Sequence, residues 1–112
     1  MSSSPVRIAV AGALGRMGKA VSATLEGRAD AVAVARFDRP GAEGEGLVAL
    51  ESALADAQAI IDFTIPEASV ALAETIAAAG GGIALIIGST GFTAEQDARL
   101  AKAAETLTIV RS

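Results

Sequence analysis

Apolar residues in this chain come in short bursts separated by helix-forming stretches. The first burst, Arg7-Ile8-Ala9-Val10-Ala11, predicts a strand, and residues 16 to about 25 predict a helix closed by Gly27. Ala31-Val32-Ala33-Val34-Ala35 continues into Arg36-Phe37 as a second strand, apolar along both faces as an interior parallel strand is. Asp38-Arg39-Pro40-Gly41 breaks it, and the acidic, glycine-rich residues 42–46 form a loop. Leu47 to Leu50 predict a short edge strand, and Ser52 to Asp56 a turn or two of helix. Ala59 to Phe63 and Ile83 to Ile87 are further buried strands, and Thr108-Ile109-Val110 starts another. Two helix starts are marked. Thr64-Ile65-Pro66-Glu67 has the Thr-x-x-Glu spacing of a capping box with proline in the first turn, and Thr93-Ala94-Glu95-Gln96 repeats it with glutamine. The last helix runs to about Glu105. Strand and helix alternate throughout. The prediction is an α/β fold, a doubly wound parallel sheet with right-handed crossovers.

Composition narrows the function classes. The chain has 112 residues, enough for one domain spanning 1–112 with a real core. It is 52% apolar but only 3% aromatic, so its core is built from Ala, Val, Ile and Leu. A net charge of −4 leaves no basic surplus for nucleic acid. Without cysteine or histidine, a disulfide framework, a cysteine nucleophile and an ordinary zinc site are all excluded, and no metal is expected. The uncharged run Thr75 to Ala94 is interrupted by Gly80-Gly81-Gly82 and by Ser89-Thr90-Gly91, which argues against a membrane span. Met1-Ser2-Ser3-Ser4-Pro5 has no signal-peptide character, and the expectation is a cytoplasmic protein.

The chemistry concentrates in three places. Gly12-Ala13-Leu14-Gly15-Arg16-Met17-Gly18 follows the first strand directly. Glycines at this spacing allow a tight strand-to-helix turn and let backbone N–H groups approach a diphosphate at the positive end of a helix. A turn that binds nothing has the same local pattern. Arg16 either reaches phosphate or stays solvated. Asp38 lies about 20 residues further on, at the end of the second strand, where a carboxylate accepts hydrogen bonds from ribose hydroxyls. Arg39 offers a partner for a 2′-phosphate, so the pair suits NADH or NADPH, although Asp and Pro are also ordinary turn residues. Gly88-Ser89-Thr90-Gly91-Phe92 occupies the end of a central strand, the edge where ligands sit in open parallel sheets. There Gly88 would permit close backbone approach, and the hydroxyls could bind a carboxamide or carboxylate. The alternative is a glycine-rich turn ahead of the Thr93 cap. Asp62 reads as structural, bonding nearby backbone.

Three segments in order resemble dihydrodipicolinate reductases: Val10 to Gly18, Ile61-Asp62-Phe63-Thr64-Ile65-Pro66 and Ile87-Gly88-Ser89-Thr90-Gly91-Phe92. The resemblance covers essentially this whole chain but only that family's N-terminal, Rossmann-like dinucleotide-binding domain. It implies hydride transfer from NADH or NADPH to 4-hydroxy-tetrahydrodipicolinate, on the diaminopimelate route to lysine. It assigns Gly12, Ala13, Leu14, Gly15, Arg16 and Met17 to the diphosphate, Asp38 to the ribose and Arg39 to the NADPH phosphate. Gly88, Ser89 and Thr90 would line the nicotinamide end, with Ser112 a further cofactor contact and Thr90 able to touch a substrate carboxylate. Ser89 replaces the commoner Thr and keeps the hydroxyl. The family's substrate and tetramerisation domain, with its His-rich motif and catalytic Lys, is expected beyond Ser112. This chain would then hold no catalytic residue, be monomeric and bind cofactor without turnover. Two other readings share the glycine turn: a stand-alone nucleotide-binding or sensing module, and the N-terminal domain of another dehydrogenase.

Overall fold

The structure, a computed structural model, describes residues 5–13, 15–37 and 50–111, with 50–52 described by their backbone. Its sheet has five parallel strands: β1 (Val6–Ala11), β2 (Ala31–Phe37), β3 (Ala59–Asp62), β4 (Ala84–Ile87) and β5 (Ile109–Arg111). Between them run α1 (Arg16–Glu26), α2 (Leu50–Asp56), α3 (Pro66–Ala78) and α4 (Ala94–Ala103). The strand order is β2-β1-β3-β4-β5, the doubly wound arrangement expected from the alternating pattern. Leu50 belongs to α2 rather than to the expected edge strand. The rest of that expected strand, 47–49, lies outside the described residues.

Alternation along the strands sends side chains to two cores. Ala9, Ile60 and Leu85 form a row in register across β1, β3 and β4 and are buried, clustering with Val70, Ala73 and Ile76 of α3 and Leu100 of α4. Ala53 of α2 joins the same cluster. On the opposite face Val10 packs with Ala13 and with Leu25 and Val21 of α1. Alanines at 9, 11 and 35 keep the helices close to the sheet, so a core nearly free of aromatics still closes. Across the same face as Val10, Ile61, Ile86 and Val110 continue a row in register over β3, β4 and β5. Val110 is 51% exposed. Among the described residues no helix is long and apolar enough to cross a membrane.

Order 2-1-3 creates a switch point. The chain leaves β1 toward β2 on one side, and the later strands build on the other. Ligands in this architecture sit in the crevice outside the carboxyl ends of the strands at such a point, here β1 and β3.

Helices α3 and α4 are tied by Arg99, which donates to both carboxylate oxygens of Glu74 at 2.6 and 3.0 Å and to Glu67 at 3.2 Å. These hydrogen bonds hold the Glu74 carboxyl below its usual value of 4.5. A depressed folded-state pKa means the stabilisation is complete above that usual value and is lost as pH falls through the folded value. The groups are exposed, so the effect is small and screened by salt. We expect the melting temperature to fall with acidification below the usual glutamate range, and Arg99→Met to remove that component. A pH profile of thermal melting that is unchanged in Arg99→Met would contradict this clamp.

Candidate functional site

The glycine turn sits at the switch point. Gly12 has φ +74°, the left-handed region that disfavours other residues. Ala13 N–H donates to the Phe37 carbonyl at 3.2 Å, tying the turn to the end of β2. Gly15 N–H returns to the Gly12 carbonyl at 3.0 Å, and Gly15 becomes the N-cap of α1 in ordinary extended backbone. Gly18, buried in the first turn of α1, lies directly on Gly12 and Ala13. A Cβ there would overlap the Gly12 carbonyl oxygen and come within 2.8 Å of Ala13 Cα.

The three glycines therefore have separate roles. Gly12 faces the Phe63 carbonyl, with an added Cβ 3.1 Å from that oxygen, and Gly18 lets the helix rest on the turn. Among the described residues an added Cβ at Gly15 would meet only the Gly12 carbonyl, at an ordinary 3.4 Å. Gly12 and Gly18 carry the steric demand, and Gly15 matters to whatever approaches from outside.

What lies outside Gly15 is an uncapped helix end. Among the described residues no side chain caps α1, and its first turn holds no acidic residue. The N–H groups of that turn lack intrahelical partners and concentrate the positive end of the helix dipole. Helix α4 shows the contrast. Thr93 Oγ1 accepts from Gln96 N–H, the Gln96 side chain accepts from Thr93 N–H, and Glu95 and Asp97 sit in the first turn. Gly15, Arg16 and Met17 are all exposed. An exposed helix end with no anion of its own and no Cβ at its N-cap fits a diphosphate.

The turn after β3 supplies the facing wall. Asp62 is fully buried, and its Oδ1 accepts from Thr64 N–H at 2.9 Å and from Thr64 Oγ1–H at 2.6 Å. This bears out the structural reading of Asp62 and corrects the expected capping box at Thr64. The threonine hydroxyl turns back to the carboxylate, and Ile65, without a capping side chain, is the N-cap of α3. Pro66 does occupy the first turn, with Glu67. Asp62 Oδ2 is buried with no hydrogen-bond partner among the described residues, a state that typically destabilises by ~1–3 kcal/mol.

The loop after β4 leans on this turn. Gly88 N–H donates to the Asp62 carbonyl at 2.8 Å. The Phe63 ring fills the space that a Cβ of Gly88 would take, so close approach at Gly88 is to this ring. Ser89 Oγ–H donates to the Thr64 carbonyl at 2.9 Å, and Ser89 Oγ lies 2.9 Å from Ser69 Oγ. Ser89 thus directs its hydroxyl toward α3, whereas Thr90 is exposed. At the far end of the loop, Arg111 stands 4.6 Å from the Phe92 ring centroid and 2.9 Å from an Asp97 oxygen.

Of the residues expected at the site, Gly12, Ala13, Gly15, Arg16 and Met17 form the glycine turn and helix end, and Gly88, Ser89 and Thr90 the loop after β4. Leu14, Asp38, Arg39 and Ser112 lie outside the described residues. Phe37, which precedes Asp38, is held beside the glycine turn by the Ala13 contact. Among the described residues no group of three or more His, Cys, Asp or Glu side chains is placed to hold a metal ion. Phe63 and Thr64, which the sequence placed in a family-like turn, and Ser69 also join the walls of the site, although none was expected there. Ser69 carried a signal, a serine at an inward helix position otherwise filled by Val70, Ala73 and Ile76.

Comparison with known proteins gives a consistent picture. A family model described as dihydrodipicolinate reductase, N-terminus, matches residues 6–112. A 4-hydroxy-tetrahydrodipicolinate reductase of Caulobacter vibrioides is 67% identical over 110 residues, covering 98% of this chain and 42% of the relative. One from Anaeromyxobacter dehalogenans is 43% identical over 123 residues, covering 95% and 44%. The chain thus spans under half the length of these curated relatives. A dipicolinate-bound dihydrodipicolinate reductase from Paenisporosarcina sp. TG-14 superposes with a TM-score of 0.73, covering 94% of this chain and 46% of that one. At 21% identity this last likeness speaks to fold alone.

Proposed function

This chain belongs to the dihydrodipicolinate reductase family, and on that premise we propose that it is the dinucleotide-binding portion of a 4-hydroxy-tetrahydrodipicolinate reductase. The observation that carries the reading is the uncapped N-terminus of α1, set behind a glycine turn at the switch point of the sheet. Gly12 through Met17 hold the diphosphate through backbone N–H groups, with Arg16 available to phosphate. Asp38 takes the ribose hydroxyls and Arg39 a 2′-phosphate, so both NADH and NADPH are accepted. Gly88, Ser89 and Thr90 line the nicotinamide end. Thr90 offers its hydroxyl to a substrate carboxylate, and Ser112 adds a cofactor contact. When bound, the cofactor supplies a hydride, and the residues of this chain orient it.

In this reading the substrate is held by a second domain of the longer protein, which also forms the tetramer, while this chain alone is a monomer. The reaction belongs to the diaminopimelate route to lysine, in the cytoplasm.

Calorimetric titration with NADH and with NADPH is expected to show saturable binding. No binding of either at millimolar concentration would refute the proposal. Arg39→Ala separates the two cofactors, because a guanidinium pairs with a 2′-phosphate that NADH lacks. It should weaken NADPH by ~1.5–3 kcal/mol, the range for hydrogen bonds to charged groups, and leave NADH nearly unchanged. Equal losses for both would assign Arg39 to folding instead.

A further inference from the structure

Four side chains link the turn after β3 to the loop after β4, and counting their protons reveals a direction. Thr64 Oγ1–H is committed to Asp62 Oδ1 at 2.6 Å, and Ser89 Oγ–H to the Thr64 carbonyl at 2.9 Å. A hydroxyl carries one proton. Ser69 is therefore the donor that remains for the contacts among the three hydroxyls, and its Oγ lies 2.9 Å from Ser89 Oγ and 3.3 Å from Thr64 Oγ1. The shorter contact takes the Ser69 proton. Ser69 is fully buried in α3, so no solvent competes for it. The Gly88 N–H bond to the Asp62 carbonyl and the Phe63 ring on Gly88 brace the same junction from the backbone side.

We propose that Asp62, Thr64 and Ser69 are positioning residues that fix the Gly88–Thr90 loop for the nicotinamide end of the cofactor. This rests on the function proposed above and adds residues that it does not use. Asp62 anchors Thr64, the Thr64 carbonyl receives Ser89, and Ser69 holds Ser89 from below. Thr90, the next residue, is exposed and takes no part in this junction's hydrogen bonds. Loss of the Ser69 proton or of the Thr64 hydroxyl would free the loop while leaving the glycine turn in place.

The test compares two ligands on the same chain. ADP engages the glycine turn without reaching the Gly88 loop, whereas NADH engages both. Ser69→Ala suits its helix, and Thr64→Val is nearly isosteric, so both variants are expected to fold. Each should weaken NADH by roughly 2- to 10-fold, the span of one net hydrogen bond, and leave ADP within about 2-fold. Thr64→Ser, which restores the hydroxyl, should recover NADH affinity. In both hydroxyl-deleting variants, amide exchange at Gly88–Thr90 should quicken while that of Ala9–Ala11 stays constant. Unaltered NADH affinity, parallel losses for NADH and ADP, or unaltered loop exchange would each overturn the proposal. If the unmodified chain binds neither ligand, the cofactor reading fails, and the exchange measurement still decides whether these hydroxyls hold the loop.

Discussion

Mixed with NADPH and freshly generated 4-hydroxy-tetrahydrodipicolinate, residues 1–112 are expected to oxidise no measurable cofactor. Hydride transfer needs a nicotinamide, a substrate held against it and a proton for the reduced product. In the proposed reading the Gly88–Thr90 loop serves the first of these. The chain has no histidine to donate a proton. Its lysines are Lys19, in the first turn of α1, and Lys102, in the last turn of α4, and neither belongs to the loop after β4. Correct placement of a reacting partner supplies ~7–11 kcal/mol of barrier reduction, which cofactor binding alone does not replace. Joining this chain to the remainder of the Caulobacter relative should restore turnover, since the two are 67% identical over the shared part. NADPH oxidation by residues 1–112 alone would show that catalysis does not depend on a second domain.

The second large effect is a division of labour between two glycines three residues apart. Gly18→Ala should destabilise the chain severely, because its Cβ would overlap the Gly12 carbonyl oxygen and crowd Ala13 Cα, both backbone. Overpacking of this kind destabilises by ~1–3 kcal/mol or more, which for a domain of this size lowers the melting temperature by roughly 4 °C or more per kcal/mol. Gly15→Ala should melt almost like the parent, since its Cβ has an ordinary 3.4 Å neighbour and its backbone suits any residue. Its deficit should appear instead in cofactor affinity, where the new methyl stands between the helix end and the diphosphate. A normally melting Gly18→Ala would contradict the packing described for α1. A normally binding Gly15→Ala would move the phosphate elsewhere.

The sheet was legible because its strands are written locally. Ala31 to Phe37 and Ala59 to Asp62 are nearly continuous apolar runs, and a parallel interior strand leaves that mark without reference to its neighbours. The Thr93 cap was legible for the same reason, since donor and acceptor lie within four residues. Thr64 has equivalent spacing but failed as a cap, because Asp62, two residues back, offers a carboxylate at 2.6 Å that competes with the helix N–H groups. Contacts between distant residues were not legible. The Ser69–Ser89 pair spans twenty residues, and the Phe63 ring on Gly88 twenty-five, and neither leaves a periodic trace. Glycine spacing marked the strand-to-helix turn but did not distinguish which glycine packs and which faces outward. That distinction needs the crossing of α1 over Gly12, a property of three dimensions.

The bare N-terminus of α1 sets a trade-off between stability and the proposed cofactor binding. An acidic residue in a first turn stabilises a helix by ~0.3–1 kcal/mol, as Glu95 and Asp97 are placed to do in α4. Met17→Glu would bring the same gain to α1 at an exposed position. In the proposed reading the introduced charge would occupy the place of the diphosphate and repel it, so the sturdier protein would be the poorer binder. Stability selection applied to this chain without cofactor should therefore drift toward acidic residues at 16 and 17, and selection for binding should purge them.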